Sequence, residues 1–205
     1  MLELKCKKKE CDGDCSPHFI SSVSEVLSDH ELIVYPTETL YGLGADPFHE
    51  GMIKKIREVK EAPPHKKIST AYHNLEHASE FVDIPDPARK LGEKFLPGPL
   101  CIVVKTPEGT EGIRVPDHPL TKKIIEDFGP ITSTSANLHG GPDPVDVETS
   151  KLHLRGKVKL YVNCGPCRYG IGSTVVKVDE KGFDILREGY ITKKEIGDVL
   201  EVEPR

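Results

Sequence analysis

The chain has 205 residues, 37% hydrophobic and 30% charged, with a net charge of −5. That length supports one sizeable core, and no break in composition requires a second domain. An acidic total excludes coating of nucleic acid by bulk charge, and no apolar run approaches the ~18 residues of a membrane helix. The N-terminus carries no apolar signal core, so the expected setting is the cytoplasm, with no membrane partner.

Residues 1–15 read as a Cys/Lys-rich polar tail and 16–205 as the folded domain. Ser16 and Pro17 supply an N-cap and a first helical residue, and Phe19, Val23, Val26 and Leu27 fall on one face of the helix they open. A short apolar strand, "ELIVY", runs into "PTETLYGLG", and a second helix is expected from about Pro47 to Lys60. A strand near Lys67 to Ala71 follows, then helices over Asn74 to Val82 and Asp86 to Leu96. Pro97, Gly98 and Pro99 stop the latter before the strand "LCIVVK". "GIRVP" is another strand, "LTKKIIEDF" a helix, and "ITSTSAN" a strand that enters the loop "LHGGPDP". The strands "KLYVN", "STVVKV" and "FDILRE" come next, and Thr192 with Glu195 predicts a capping box for a last helix. Helices between many strands, with tandem strands near the C-terminus, predict an α/β fold with a twisted, open, mixed sheet.

Six cysteines in a chain of this class point to thiols or metal rather than a disulfide framework. Cys6, Cys11, Cys15 and His18 offer ligand-type side chains but lack the two-residue pair of a zinc ribbon, and no metal ligand is assigned. "CGPC", Cys164 to Cys167, has redox spacing without a following helix start, and reads as a turn with two incidental thiols. A basic cluster, from Lys54 through Lys60 to Lys66 and Lys67, fits a solvated helix face, with Lys60 the member of interest.

The chain has neither a G-x-x-x-x-G-K-[ST] phosphate loop nor a G-x-G-x-x-G turn, which excludes the commonest nucleotide folds. What remains is a series of strand ends bearing hydroxyls and single cations. Thr37 and Thr39 leave the first strand, Arg114 lies in "GIRVP", and Thr134, Ser135 and Asn137 lie in "TSTSAN". Ser173 and Thr174 open "STVVKV", and Arg187 sits in "ILREG". Hydroxyls, an amide and separated cations meeting at strand ends suit a polyphosphate and a small carboxylate. His118 and His139 flank candidate loops, but no Ser-His-Asp set or carboxylate pair stands out, so no general base is assigned. Chemistry by positioning and charge stabilisation is expected.

The ordered set "PTETLYGLG", "GIRVP", "STSAN", "GIGSTVV" and "ILREG" resembles the YrdC family of threonylcarbamoyl-adenylate synthases, from about Glu31 to Gly189. The resemblance implies a YrdC-type sheet with a central concave cleft. It also implies condensation of L-threonine, bicarbonate and ATP, with magnesium, into threonylcarbamoyl-AMP and pyrophosphate. Separate transferase-complex proteins would then carry the group to a tRNA adenosine. Carried over by position, Lys60 and Arg114 would be catalytic. Thr37, Lys60, Arg114 and Ser173 would hold the threonine, and Thr134, Ser135, Asn137 and Arg187 the ATP.

One departure stands out. The family's K-x-R-P element reads "KEAP" here, with Lys60 kept and Ala62 in the arginine's place; Lys66 or Lys67 is the available substitute. That gap favours a competing reading, a protein of the same fold that binds double-stranded RNA or nucleotide without synthesis. A third reading is a zinc-dependent interaction protein using Cys6, Cys11, Cys15 and His18.

Overall fold

The computed structural model describes residues 2–7, 11–202 and 205. The Ser16 hydroxyl accepts from the Phe19 amide at 3.2 Å, which opens α1 (Pro17–Ser28) at the expected residue. The apolar run before the motif is β2 (Ile33–Tyr35), and the motif contains a further strand, β3 (Gly42–Gly44). An extended His49 precedes α2 (Glu50–Val59), so this helix starts later than Pro47. Next come β4 (Ser69–Ala71), α3 (Leu75–Ser79), which stops short of the expected Val82, and α4 (Asp86–Phe95).

The hairpin β5 (Leu100–Thr106) and β6 (Gly109–Arg114) is followed by α5 (Pro119–Phe128) and β7 (Ile131–Ser135). Residues 147–154 form α6 (Val147–Leu154), which sequence reading leaves unassigned; Asp146 caps it through the Thr149 amide at 2.8 Å. Then come β8 (Leu160–Asn163), β9 (Thr174–Asp179), β10 (Gly182–Arg187) and α7 (Lys193–Leu200), the last with the expected capping box.

Residues read as a polar tail contribute a strand of their own. In β1 (Leu2–Lys5), Leu2 pairs with Leu160 and Lys5 with Asn163, parallel to β8. Glu3 fastens this edge, accepting from Lys151 Nζ at 2.7 Å and Asn163 Nδ2 at 2.9 Å.

Among the described residues one mixed sheet runs β1-β8-β2-β3-β7-β4-β6-β5-β9-β10. Its first half is covered on both faces. Met52, Ile56, Val147 and Leu154, from α2 and α6, pack on Val34, Leu43 and Tyr161. Ile20, Val23, Leu120 and Ile124, from α1 and α5, pack on Ile33, Tyr35 and Val162. The second half is covered on one face. There Leu75, Ala88, Leu91 and Ile196, from α3, α4 and α7, meet Leu100, Ile102, Val104, Val176 and Phe183.

Strand alternation puts Cys101, Val103 and Val175 on the opposite face of that half, where they line a cleft. The open side of the sheet is thus the floor of the site.

Candidate functional site: a cationic cleft

The cleft encloses about 510 Å³, within the ~300–1,000 Å³ usual for small-molecule sites. All eight residues expected at a site line it: Thr37, Lys60, Arg114, Thr134, Ser135, Asn137, Ser173 and Arg187. They come from the end of β2, the end of α2, β6, β7 and its loop, and the β9–β10 hairpin. Lys60, Lys66, Lys67, Arg114 and Arg187 face one carboxylate in the lining, Asp143. That imbalance of charge favours anions.

Arg114 is buried, and the residue that holds it was not singled out from sequence. Glu38, the acid between the two threonines, takes Arg114 Nη2 at 3.0 Å and the Asp117 amide at 3.0 Å. Arg114 Nη1 donates to the Ser173 hydroxyl, while Nε is buried without a protein partner. Ser173 reaches towards Thr39 Oγ1 at 3.5 Å. The signal available in the sequence was an acid flanked by hydroxyls at the mouth of an apolar strand.

Thr37 turns its hydroxyl into its own loop. Oγ1 donates to Leu40 O at 2.6 Å and accepts from the Thr39 and Leu40 amides, both at 3.2 Å. This side-chain turn shapes the wall at Thr37 to Leu40. The two motif glycines are required by the packing: a Cβ on Gly42 or Gly44 would lie 2.6 Å or 3.0 Å from the buried Tyr35 ring. They make room for Tyr35, whose hydroxyl donates to Thr132 O at 3.0 Å, and Gly42 also lines the cleft.

Lys60 closes α2 and points at the turn after β7. Its ammonium donates to Ser135 O, to Asn137 O at 2.8 Å and towards Asn137 Oδ1 at 3.4 Å. Asn137 is equally occupied. Its Oδ1 accepts from Ser135 Oγ at 2.6 Å and its Nδ2 donates to Gly141 O and Pro142 O at 2.9 and 3.0 Å. These bonds build the "STSAN" loop as a rigid unit beside the cleft. Burial, and secondarily Lys66, push Lys60 down to about 8.

Arg187 lies across the Ser173 carbonyl, with Nε at 3.0 Å and Nη2 at 2.7 Å. Ala62 does not line the cleft; its amide ends α2 by bonding Arg57 O at 2.9 Å. Lys66 and Lys67 do line it. Of the two histidines, His139 lines the cleft and His118 does not. Burial pushes the His118 imidazole down to about 4, so it is neutral at pH 7.

The cysteines separate into different surroundings. Cys167 packs against the α2/α6 core, and Cys101 is buried beside Ser69 at 3.2 Å. Cys6 and Cys11 gather with Cys164 rather than with Cys15 and His18. His18 lies exposed in the first turn of α1.

The profile of the Sua5/YciO/YrdC family, described as telomere recombination, matches residues 25–189. The chain belongs to this family. It is 30% identical over 175 residues to a putative threonylcarbamoyl-AMP synthase of Methanocaldococcus jannaschii, covering 82% of this chain and 83% of that one. It is 33% identical over 194 residues to the threonylcarbamoyl-AMP synthase of Bacillus subtilis, covering 88% of this chain and 56% of the relative. The crystal structure of P. abyssi Sua5 complexed with L-threonine superposes with a TM-score of 0.88 at 28% identity, over 100% of this chain and 62% of that one. This family member therefore spans less than two thirds of those two longer relatives. Escherichia coli YciO shares the fold, with a TM-score of 0.79 at 23% identity over 95% of this chain and 98% of YciO. No helix among the described residues is long and apolar enough to cross a membrane.

Proposed function

We propose that the protein is a threonylcarbamoyl-AMP synthase, condensing L-threonine, bicarbonate and ATP into threonylcarbamoyl-AMP, pyrophosphate and water. The observation that carries this reading is the convergence of all eight expected residues on one cationic cleft, in a family whose relatives bear that name. A likeness to Sua5 holding L-threonine supports the amino-acid half of the site.

In this account the threonine amine and bicarbonate give a carbamate with loss of water. A carbamate oxygen then attacks the α-phosphorus of ATP as the bond to pyrophosphate breaks. Arg114, fixed by Glu38 and Ser173, holds the carboxylate and carbamate, with Thr37 shaping the same wall. The loop bearing Thr134, Ser135 and Asn137, tied by Lys60, seats the nucleotide; Arg187, Lys66 and Lys67 face its phosphates. Holding nucleophile and phosphorus in line accounts for ~7–11 kcal/mol of barrier lowering, which suits a site without an assigned general base.

Magnesium fits this donor set, since it is ordinarily bound through phosphates and one or two carboxylates, and Asp143 is the carboxylate at hand. With the nucleotide bound it would supply neutralisation of phosphate charge. A cleft of this volume suits a nucleotide with an amino acid better than a duplex, which weighs against the RNA-binding reading. The adenylate would serve as donor to a tRNA adenosine through separate transferase proteins, in the cytoplasm.

Pyrophosphate release from ATP with magnesium and bicarbonate tests the reading: it should require L-threonine. Release that ignores threonine, or no release, sinks it.

A further inference from the structure

Two sulfurs near the N-terminus meet a third from far along the chain behind the cleft wall. The Sγ atoms of Cys6, Cys11 and Cys164 all lie within 4.8 Å of one another, and all three residues are half-buried. We propose that Cys6, Cys11 and Cys164 bind one zinc ion as a structural site joining the N-terminal segment to the turn after β8. This inference is independent of the synthase reaction.

The backbone explains why the thiols converge. β1 and β8 run parallel with Lys5 opposite Asn163, so Cys6 and Cys164 leave the sheet side by side at the same end. The Cys6 amide extends the ladder to Asn163 O at 2.9 Å, and the Cys11 amide bonds Lys7 O at 3.2 Å, which brings Cys11 back. The turn at Cys164 is fixed independently. Asn163 Oδ1 accepts from the Gly165 amide at 2.9 Å, and Gly165 adopts φ +78°, which favours glycine. The Tyr41 hydroxyl accepts from the Cys164 amide at 3.0 Å and donates to Gly165 O at 2.7 Å.

With its amide so held, Cys164 presents its thiol to the other two. Tetrahedral zinc with Zn–S bonds of about 2.3 Å sets sulfurs about 3.8 Å apart, so closure about the ion needs shifts of an ångström or less. Soft thiolates select zinc over magnesium or calcium. Binding releases the thiol protons to solvent as the Zn–S bonds form. Cys101 and Cys167 are the internal contrast, since each packs as a single small apolar side chain.

Among the described residues no fourth Cys, His, Asp or Glu falls within the same range, which leaves the fourth position to water or an added ligand. Tyr41 also lines the cleft, so the proposed site braces the cleft wall from behind.

The test uses the full chain, reduced and free of any metal-binding tag. Elemental analysis should find about one zinc per chain, as one three-thiolate site per chain requires. Chain isolated without metal should take up one equivalent of Zn²⁺, and Co²⁺ in its place should give thiolate-to-cobalt charge-transfer absorption. Cys6→Ser, Cys11→Ser and Cys164→Ser should each weaken Zn²⁺ binding by more than the ~10–100-fold lost with an outer-shell partner. Cys101→Ser and Cys167→Ser should bind as wild type does. If the cysteine variants fold poorly, a chelator added to wild type should lower its melting temperature. The proposal is overturned by either of two results: no stoichiometric uptake by the reduced chain, or equal uptake by the Cys6 and Cys164 variants. Bound iron in place of zinc would overturn the choice of metal.

Discussion

Arg114 and Glu38 form an ion pair at 3.0 Å, with the Glu38 side chain fully withdrawn from solvent. The pair aims the guanidinium at the cleft, and each charge depends on the other. Arg114→Ala leaves a buried carboxylate unpaired and should cost about 3–5 kcal/mol of stability in urea unfolding, together with threonine-dependent turnover. The double variant Glu38→Leu/Arg114→Met should recover most of that stability and none of the turnover. A double variant no more stable than Arg114→Ala would show that the pair is not coupled.

Lys60 predicts a pH dependence. Its folded pKa of about 8 lies below the unfolded value of ~10.4, so the ammonium is present below pH 8 and lost as pH rises through it. Over that window the unfolded chain binds more protons, so this group's contribution to stability increases from about pH 8 to 10. ATP binding should move the opposite way, its Kd rising by up to about tenfold per pH unit above 8. Calorimetric titration should find the break in wild type and a flatter profile in Lys60→Arg. The same break in both would remove Lys60 as its source.

Gly172 lies against Arg187, and a Cβ there would sit 3.2 Å from the guanidinium carbon. Gly172→Ala should push Arg187 off the Ser173 carbonyl and weaken ATP binding about as much as Arg187→Ala, with little change in melting temperature. The side chain is the flexible partner in this contact. Unchanged ATP affinity in both variants would remove Arg187 from the nucleotide site.

Lys66 and Lys67 line the cleft where Ala62 does not. Lys66→Ala/Lys67→Ala should weaken ATP binding by about tenfold or more and reduce its dependence on salt, since two cationic charges are lost from the cleft lining. Adding Ala62→Arg to that variant should restore part of the affinity. Wild-type affinity in the lysine variant would mean that neither lysine replaces the missing arginine.

The elements with strong local chemistry were legible in the sequence. Ser16 with Pro17 and Thr192 with Glu195 fix helix starts, and the alternation in "LCIVVK" separates the core-facing Ile102 and Val104 from the cleft-facing Cys101 and Val103. Residues that line the cleft were also legible as strand-end hydroxyls and cations. β1 was not, because "LELK" is a short edge strand with little local signal, held by pairing with β8. α6 was missed because "VETSKLHL" lacks a clear apolar stripe and relies on the Asp146 cap and on burial of Val147 and Leu154. Glu38 was marked only as an acid between two threonines, and its role was not legible because its partner lies 76 residues away. The meeting of Cys6 and Cys11 with Cys164 likewise exists only after β1 docks beside β8.

The most direct measurement of the central claim is mass spectrometry of the nucleotide products formed from ATP, L-threonine and carbon-13 bicarbonate by the purified chain. Threonylcarbamoyl-AMP carrying a single heavy carbon, absent when threonine is omitted, is the predicted result. AMP or ADP without any threonine-bearing adenylate, from protein that binds ATP, would contradict the account and leave the cleft a binding site.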